Sequence, residues 1–456
     1  MTAAPRRQLI VGLDAMEWEL VERWAREGKL PTFRRLMDQG ARGELSSTSA
    51  QLPDTVWSAL YTGVNPAKLE KFFYVQYDPT TMGLQYISDD AITRPPFWQL
   101  LGEGGRRVGV VDVPKARLTP SVNGFQLNNW GAHATTTPRA SIPASLFEEV
   151  ESRFGTHPLR DCDAVSEHPA ALVRLRDRVL EGVRLHGRVF RALMEEREWD
   201  VFFAAFSAPH CIGHHLWHFL DSTHPRHAAD DPHGLSDAIE RVYAAIDSEI
   251  GEMLALAGED TLCVLVAAHG MGPLYHASWN LPEILGRLGY GDGKREPITR
   301  EVREARVNPW RIVKMVVPGR LQYRIKAMLP KALQHRLLFL WYAGGRSWAG
   351  HRAFAIPNND SVGAIRVSVK GRDKNGLVEP GAEYEEVCRD IAEALEELTD
   401  PVSGRRVVKL VTRTHREFAG PFLDNLPDLE GLLEKRVVPL PPESLALSVG
   451  ELRTTG

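Results

Sequence analysis

Four histidines fall within nine residues in the segment Phe202–His218, directly after a short apolar run. The run, residues 200–206, is typical of a buried strand. His210, His214 and His218 follow one another at intervals of four, so a helix carries them on one face, where two imidazoles can share a metal ion. The alternative is a helix that uses histidine for ordinary, partly buried packing. With four histidines in one segment, the pattern favours metal binding.

Two other predicted strands also end in potential metal ligands. The apolar run from Leu9 ends at Asp14, and the run Asp260–Ala267, which we expect to form a central parallel strand, leads to His269. Asp14 taken alone could equally cap the following helix. Ligands bind beyond the carboxyl ends of the strands in α/β proteins, so these side chains are expected at one edge of a sheet. The predicted metal ligands are Asp14, His210, His214 and His269.

Polar groups elsewhere could complete a binding site. Residues 46–50 are rich in hydroxyl groups, and a helix is expected to begin near Asp54 or Thr55, where exposed N–H groups favour an anion such as phosphate. An ordinary capped helix is the alternative there. Asn129 and His133 lie in a polar and aromatic stretch after another predicted strand. They could line a substrate pocket, although a surface loop is the alternative for that stretch.

Strand and helix patterns alternate along most of the chain. The predicted strands are residues 8–13, 107–113, 124–127, 200–206, 260–267, 353–356, 363–370 and 407–412. The predicted helices are residues 17–27, 31–39, 143–154, 169–199, 235–256 and 381–398. This alternation predicts an α/β fold, a mostly parallel sheet with helices on both faces.

One region differs from the rest in composition. Residues 292–350 are rich in arginine and lysine with interspersed tryptophans, which favours a helical basic insertion or lid over an α/β core made of residues 1–291 and 351–456. Such an insertion could supply positive charge to an anionic substrate. A solvated helical excursion is the alternative interpretation, and a peripheral membrane contact is a weaker one.

Composition narrows the class of protein. The 456 residues are 43% hydrophobic and 25% charged, the balance of a soluble globular protein. The net charge of −4 indicates no general affinity for nucleic acid or anionic membranes. The 4 cysteines are far apart, and no signal peptide or membrane-spanning apolar run is expected, which favours a cytoplasmic protein. The oligomeric state stays open.

Several motifs together resemble the alkaline phosphatase superfamily, specifically its type I phosphodiesterase/nucleotide pyrophosphatase branch. Their order and spacing make the set more specific than each motif alone. The motifs are Val11-Gly12-Leu13-Asp14-Ala15, the segment Trp57–Gly63 followed by Asn65-Pro66, Ala268-His269-Gly270-Met271-Gly272, Ser368–Arg372 and Gly376–Gly381.

The resemblance implies an alkaline-phosphatase-like hydrolase with two metal ions, typically zinc. Because the chain departs from the family pattern, one or two divalent ions are expected here. The resemblance also implies a threonine or serine at a helix start that attacks phosphorus. The chain departs from the pattern at four places. Ala268 replaces a carboxylate, His210 replaces an aspartate, Pro53 occupies the usual nucleophile position, and a final histidine has no match before Gly456. Thr55, two residues later, is the predicted nucleophile.

The sequence therefore predicts a metal-dependent hydrolase of phosphodiester or phosphomonoester bonds, with a small-molecule phosphate ester as substrate. The alternative, motivated by the four departures, is a non-catalytic or single-metal member of the same fold that binds an anionic ligand or a partner. An isomerase of the phosphoglycerate mutase branch is a third interpretation. It requires a phosphosugar-binding insertion, which the basic region after Asp292 does not identify.

Overall fold

The structure is a computed structural model in which the chain forms two compact units. It describes residues 7–131, 137–159, 168–224, 226–227, 230–273, 281–291, 348–359, 361–399 and 404–433. The first unit comprises residues 1–47, 56–64 and 92–273, and the second comprises residues 48–55, 65–91 and 274–456.

The observed elements follow the predicted alternation closely. The strands are β1 Arg7–Leu13, β2 Val75–Asp78, β3 Gly83–Tyr86, β4 Val108–Val111, β5 Gly124–Asn128, β6 Ala140–Ile142, β7 Val201–Phe206, β8 Thr261–Val266, β9 Ala353–Ile356, β10 Val362–Val367, β11 Val408–Arg413 and β12 Leu429–Leu433. The helices are α1 Trp18–Arg26, α2 Pro31–Gln39, α3 Val56–Thr62, α4 Phe97–Glu103, α5 Ser145–Phe154, α6 Pro169–Glu196, α7 Ala208–Leu220, α8 Ala238–Ala257, α9 Leu281–Arg287, α10 Ala382–Glu397 and α11 Thr414–Glu417.

The first unit is built on a sheet with strand order β6-β5-β4-β7-β1-β8. Every neighbouring pair is parallel except β5 and β6. Successive side chains of β7 enter two different cores: Phe202 and Phe206 pack with α6 and α8, whereas Val201 and Phe203 pack with α3 and α4. Helices therefore cover both faces, and the predicted fold class, a mostly parallel sheet between helices, is confirmed.

The prediction of a central position for the strand within residues 260–267 is wrong. Among the described strands of this sheet, β8 lies at the edge and pairs with β1 alone. Its side chains alternate, with Cys263 packed against the larger core while Leu262 and Val264 are 46% and 41% exposed. A continuous apolar run does not distinguish a central strand from an edge strand that covers one face only.

The second unit contains a different sheet, with strand order β11-β12-β10-β9 and antiparallel pairing throughout. Val387, Ile391 and Leu395 of α10 pack on one face of it. Phe354 and Ala364 point to the opposite face, into a second apolar cluster. β2 and β3 form a separate antiparallel hairpin in this unit. The sequence patterns did not predict this antiparallel sheet in the C-terminal part of the chain.

The predicted basic insertion, residues 292–350, lies outside the described residues except for its last three positions. Its helical character and its boundaries with the core remain predictions. Over the part of the chain that the structure describes, no helix is both long and apolar enough to span a bilayer.

Candidate metal centre

Three of the four predicted metal ligands meet at the carboxyl edge of the parallel sheet. Asp14 follows β1, His210 lies in the first turn of α7 after β7, and His269 follows β8. Asp14 Oδ1 lies 3.1 Å from His269 Nε2, and Asp14 Oδ2 lies 3.4 Å from His210 Nδ1. One ligand atom from each residue lies within 4.8 Å of the other two. We call Asp14, His210 and His269 the metal trio.

A tryptophan from α3 orients the carboxylate of the trio. Trp57 Nε1 donates a hydrogen bond of 2.7 Å to Asp14 Oδ1. The indole reaches this position because residue 12 of β1 has no side chain. A Cβ at Gly12 would lie 2.9 Å from the Trp57 ring and 3.0 Å from Ala205 Cβ. The Val11-Gly12-Leu13-Asp14 motif thus combines a ligand with the space for the residue that holds it.

The strand–helix junction at β7 and α7 places His210. Pro209 occupies the first turn of α7, where its missing N–H has no helical acceptor to lose. A Cβ at Gly213, one turn later, would lie 2.8 Å from Met271 Cγ, so its absence lets α7 approach the turn that carries His269. His214 does not join the trio: it is exposed, and its Nε2 lies 2.9 Å from His210 Nε2.

The pKa values of Asp14 and His269 depend on each other. Burial acts to raise the pKa of Asp14, but the charge of His210 and the hydrogen bonds from His269 and Trp57 outweigh it and hold that pKa well below its ordinary value. Burial acts to lower the pKa of His269, yet the hydrogen bond and charge of Asp14 raise it overall, against an opposing effect from the charge of Lys115. The trio therefore holds a carboxylate between two imidazoles.

These residues fit a zinc ion. Zinc sites combine imidazole nitrogens and carboxylate oxygens at roughly 2 Å from the metal, so their ligand atoms lie within about 4 Å of each other. His269 Nδ1 donates to the carbonyl oxygen of Gly270 at 3.0 Å, which directs Nε2 toward Asp14 and fixes the tautomer that a metal requires. The side chains of His210 and His269 are about one-fifth exposed, at 20% and 21%, so a ligand can approach them.

The structure buries the predicted nucleophile, Thr55. The residue lies in a short turn, Pro53–Thr55, directly before α3, as the predicted helix start required, and it belongs to the second unit. Its side chain is 1% exposed, and its hydroxyl donates to the carbonyl oxygen of Leu52 at 2.7 Å. With that proton engaged, the Thr48 hydroxyl, 2.9 Å away, is the donor to Thr55 Oγ1.

Of the two predicted substrate-binding residues, one is described. Asn129 follows β5 with a left-handed backbone, φ 55°, and its amide donates to the carbonyl oxygen of Thr137 at 2.8 Å. His133 lies outside the described residues. Asn129 stands at the same carboxyl edge of the sheet as the trio, since β5, β4, β7 and β1 are successive parallel neighbours.

Sequence reasoning missed the residues that support the trio. Besides Trp57, Glu17 contributes, because its carboxylate accepts the backbone N–H of Met271 at 3.1 Å and thereby fixes the turn after His269. Trp57 belongs to the Trp57–Gly63 motif, but no spacing rule links it to Asp14. No sequence signal pointed to Glu17.

The geometry defines a class: an α/β protein that delivers one carboxylate and two imidazoles from three strand ends to one site. The profile of the type I phosphodiesterase / nucleotide pyrophosphatase family matches residues 8–438, so the chain belongs to that family. This confirms the resemblance to the alkaline phosphatase superfamily and the predicted enzyme class, a phosphodiesterase/phosphatase-type hydrolase.

Solved structures show more distant likeness. Phosphonoacetate hydrolase from Sinorhizobium meliloti 1021, in complex with phosphonoformate, shares 15% identity with a TM-score of 0.49, covering 95% of this chain and 82% of that one. Alkaline phosphatase PafA shares 12% identity with a TM-score of 0.40, covering 95% and 86%. Comparison with curated proteins gives no match. These likenesses are too distant to carry a substrate to this chain.

Proposed function

We propose that the protein is a metal-dependent hydrolase of small-molecule phosphodiesters or phosphomonoesters. The observation that supports this most directly is the convergence of Asp14, His210 and His269, whose ligand atoms lie within 4.8 Å of one another. Family membership supports the reaction class. The trio offers three protein ligands, as catalytic zinc sites do, and such sites keep a further position for water or substrate.

The residues of the chain have separate tasks in this proposal. Asp14, His210 and His269 hold the ion, which stabilises negative charge on phosphoryl oxygens when bound. Trp57 keeps the Asp14 carboxylate oriented through its 2.7 Å hydrogen bond. His214, with its Nε2 2.9 Å from His210 Nε2, is a second neighbour that can complete the coordination or hold a second ion.

Thr55 is the proposed nucleophile, and its surroundings define what attack requires. The hydroxyl donates to the Leu52 carbonyl and is buried, so attack requires that this hydrogen bond break and that the hydroxyl become accessible. Attack then forms the Thr55 Oγ1–phosphorus bond and breaks the bond to the leaving alkoxide, which takes up the proton that the Thr55 hydroxyl loses. Water then cleaves the Thr55 Oγ1–phosphorus bond, which releases the phosphoryl group as phosphate or a phosphomonoester and restores the hydroxyl. Asn129, and His133 in the following stretch, are proposed to bind the substrate.

A second function is favoured by the same burial of Thr55. A hydroxyl that is 1% exposed and bonded to a backbone carbonyl suits a structural residue. In this alternative the chain keeps the fold and the trio, holds one ion, and binds an anionic ligand without turning it over. A cytoplasmic location suits both functions and stays a prediction.

Metal analysis and turnover distinguish the two functions. The purified full chain is assayed for bound zinc and for hydrolysis of p-nitrophenyl phosphate and bis-p-nitrophenyl phosphate, with and without chelator. Hydrolysis that chelator abolishes and zinc restores supports the hydrolase. Bound metal without turnover of either ester supports the binding protein, and a full chain that binds neither zinc nor another divalent metal contradicts both.

The nucleophile has its own test. Thr55→Ala is expected to lower kcat by about 1,000-fold or more, the scale on which nucleophile removal acts. Thr62→Ala is the matched control, because the Thr62 hydroxyl also donates to a backbone carbonyl, that of Ser58, one turn earlier. Activity that survives Thr55→Ala as well as it survives Thr62→Ala removes Thr55 from the mechanism.

A further inference from the structure

Left-handed backbone conformations occur at the carboxyl edge of the parallel sheet in residues that carry side chains. Ala15 lies two residues after β1 with φ 57°, Asp112 follows β4 with φ 51°, and Asn129 follows β5 with φ 55°. Such conformations cost about 1–3 kcal/mol each outside glycine, so the surrounding structure must enforce them, and they cluster at functional sites. Ala15 adjoins the trio ligand Asp14, which leaves the conformations at Asp112 and Asn129 to be explained.

A buried carboxylate enforces the conformation after β5. Asp112 is fully buried, and its carboxylate accepts hydrogen bonds from the backbone N–H groups of Trp130 and Gly131 at 2.8 and 2.7 Å. Both donors directly follow Asn129, so these hydrogen bonds fix the direction in which the main chain leaves that residue. They also join the ends of two neighbouring strands, because β4 pairs with β5.

Helix α6 in turn holds this carboxylate. His186 is 2% exposed, and its Nε2 donates to Asp112 Oδ2 at 2.9 Å. The imidazole of the buried His157 packs against that of His186, with ring centroids 4.5 Å apart. A Cβ at Gly131 would lie 2.6 Å from both imidazoles, so the absence of a side chain there lets the loop approach them.

A carboxylate is a costly group to bury at this place. An ionised group without partners loses several kcal/mol of hydration, which the two N–H groups and the imidazole offset here. An apolar residue would avoid this cost, but it would leave the N–H groups of Trp130 and Gly131 without their acceptor. Hydrogen-bonded polar groups inside a core favour one specific arrangement. The pair Asp112 and His186 therefore fixes one conformation of the loop that begins with Asn129.

We propose that Asp112 and His186 are positioning residues, which hold Asn129 in the conformation that binds the phosphoryl group of the substrate. This inference rests on the proposed function, in which Asn129 is a substrate-binding residue. Asp112 and His186 are both buried, and they act through the main chain of the loop rather than by touching the ligand. Loss of either is expected to weaken ligand binding without weakening zinc binding, because β4 and β7 separate β5 from β1.

Hydrogen exchange tests the hold on the loop without any ligand. Asp112→Asn removes one acceptor oxygen, so exchange of the Trp130 and Gly131 amides is expected to accelerate by about 10-fold or more. Val21→Ala is the control, since Val21 is fully buried on α1, which follows β1 and not β4 or β5. Acceleration beyond that of Val21→Ala reports the local effect, and equal exchange rates in the two variants would contradict the proposal.

Phosphate affinity tests what the positioning serves. Inorganic phosphate is titrated calorimetrically into the zinc-loaded full chain, and Asp112→Asn and His186→Leu are each expected to weaken its binding by about 10-fold. His186→Gln is expected to keep most of the affinity, because the glutamine amide can still donate to Asp112. Val21→Ala leaves phosphate affinity unchanged, and zinc affinity stays the same in all variants.

A double-mutant cycle tests whether Asp112 acts through Asn129. Asn129→Ala is expected to weaken phosphate binding by about 10-fold, and adding Asp112→Asn to it should cause no further loss. Additive losses overturn the proposal, and so does unchanged phosphate affinity in Asp112→Asn or a wild-type protein that binds no phosphate. Phosphate binding that depends on both residues in a protein without ester turnover keeps this inference and contradicts the hydrolase alone.

Discussion

A cluster of buried charge in the first unit can be compared with one in the second unit, because the two clusters are built from different cations. In the first unit, the Asp14 carboxylate lies between two imidazoles, those of His210 and His269. In the second unit, guanidinium groups surround the carboxylates. Arg366 Nε donates to Asp373 at 3.0 Å, and Arg372 forms two hydrogen bonds with Asp428, at 2.6 and 2.8 Å.

The difference separates a site from a structural network. Arginine stays charged under all ordinary conditions and cannot give up its place to a metal ion. Histidine loses its proton near neutral pH and can exchange it for a metal. Exposure follows the same division: Arg366 and Asp373 have fully buried side chains, whereas the histidines of the trio are about one-fifth exposed. We therefore expect stability to depend on the second cluster and ligand binding on the first.

The largest expected effect is on stability, in Arg366→Met. This change removes one of the two guanidinium partners of the buried Asp373 carboxylate, which keeps Arg372, and also removes hydrogen bonds to the carbonyl oxygens of Asp424 and Leu426. The free energy of unfolding is expected to fall by about 3–5 kcal/mol, measured by urea denaturation. Zinc affinity, measured under native conditions, is expected to stay unchanged. If Arg366→Met lost zinc affinity but kept its stability, the expectation that the second cluster serves stability and the first serves ligand binding would be wrong.

The next effect is on zinc affinity, in Asp14→Asn. The substitution removes the negative ligand of the trio, so zinc binding is expected to weaken by at least about 100-fold, the upper range for loss of a supporting contact. Asp200→Asn is the control, because Asp200 lies at the opposite end of β7 and accepts the backbone N–H of Arg107. Competition with a chromogenic chelator measures both. Equal zinc affinity in the two variants would exclude Asp14 as a ligand.

A smaller loss of zinc affinity is expected in Trp57→Phe. The hydrogen bond that orients Asp14 disappears while most of the ring packing stays, so affinity should fall by about 10-fold. Trp98→Phe is matched to it, since Trp98 lies in the same apolar cluster and donates from its indole to Thr119 Oγ1 at 3.0 Å. If both variants bind zinc like wild type, the indole does not support the site.

The smallest effect is a pH dependence of stability from Glu430. Burial in β12 raises the pKa of this carboxyl well above its usual value, against a small opposing effect of Thr414. The folded state binds the proton more tightly, so the stability that Glu430 contributes is complete below its unfolded pKa and lost as pH rises through the folded pKa.

Glu430→Gln is therefore expected to raise the free energy of unfolding at pH 8 by about 1 kcal/mol or more, since one pKa unit corresponds to about 1.4 kcal/mol. At pH 4 the gain should vanish. Thermal unfolding across this pH range measures it, with exposed Glu259→Gln as the control. A stability difference that is the same at both pH values would show that Glu430 is not the titrating group.

The sequence predicted the trio for a physical reason. Parallel strands place their carboxyl ends at one edge, so Asp14, His210 and His269 could be brought together without knowledge of any contact. His214 followed from helical spacing, but spacing does not tell which of two histidines one turn apart faces the sheet. The supporting residue Trp57 depends on packing between α3 and β1, and Glu17 depends on its contact with the turn after β8. Residue patterns do not reveal such contacts.

The fold, like the site, was predictable from the sequence only in part. Alternating strand and helix patterns gave the parallel sheet of the first unit, but an apolar run such as residues 260–267 suits a central or an edge strand equally. The antiparallel sheet of the second unit left no distinct pattern, because β9 and β10 are buried on both faces and do not alternate clearly. The hydroxyl of Thr55 is held by local contacts with Leu52 and Thr48, and the residue pattern around Thr55 does not reveal them.

The trio draws its members from three chain segments that are remote in sequence. A cation held there acts as a cross-link between the tips of β1, β7 and β8, which an unfolded chain cannot reproduce. Each increase in free cation then adds to the folding free energy of the first unit by mass action. The concentration of free metal would thus influence the thermodynamic stability of the first unit, independently of any reaction that the protein catalyses.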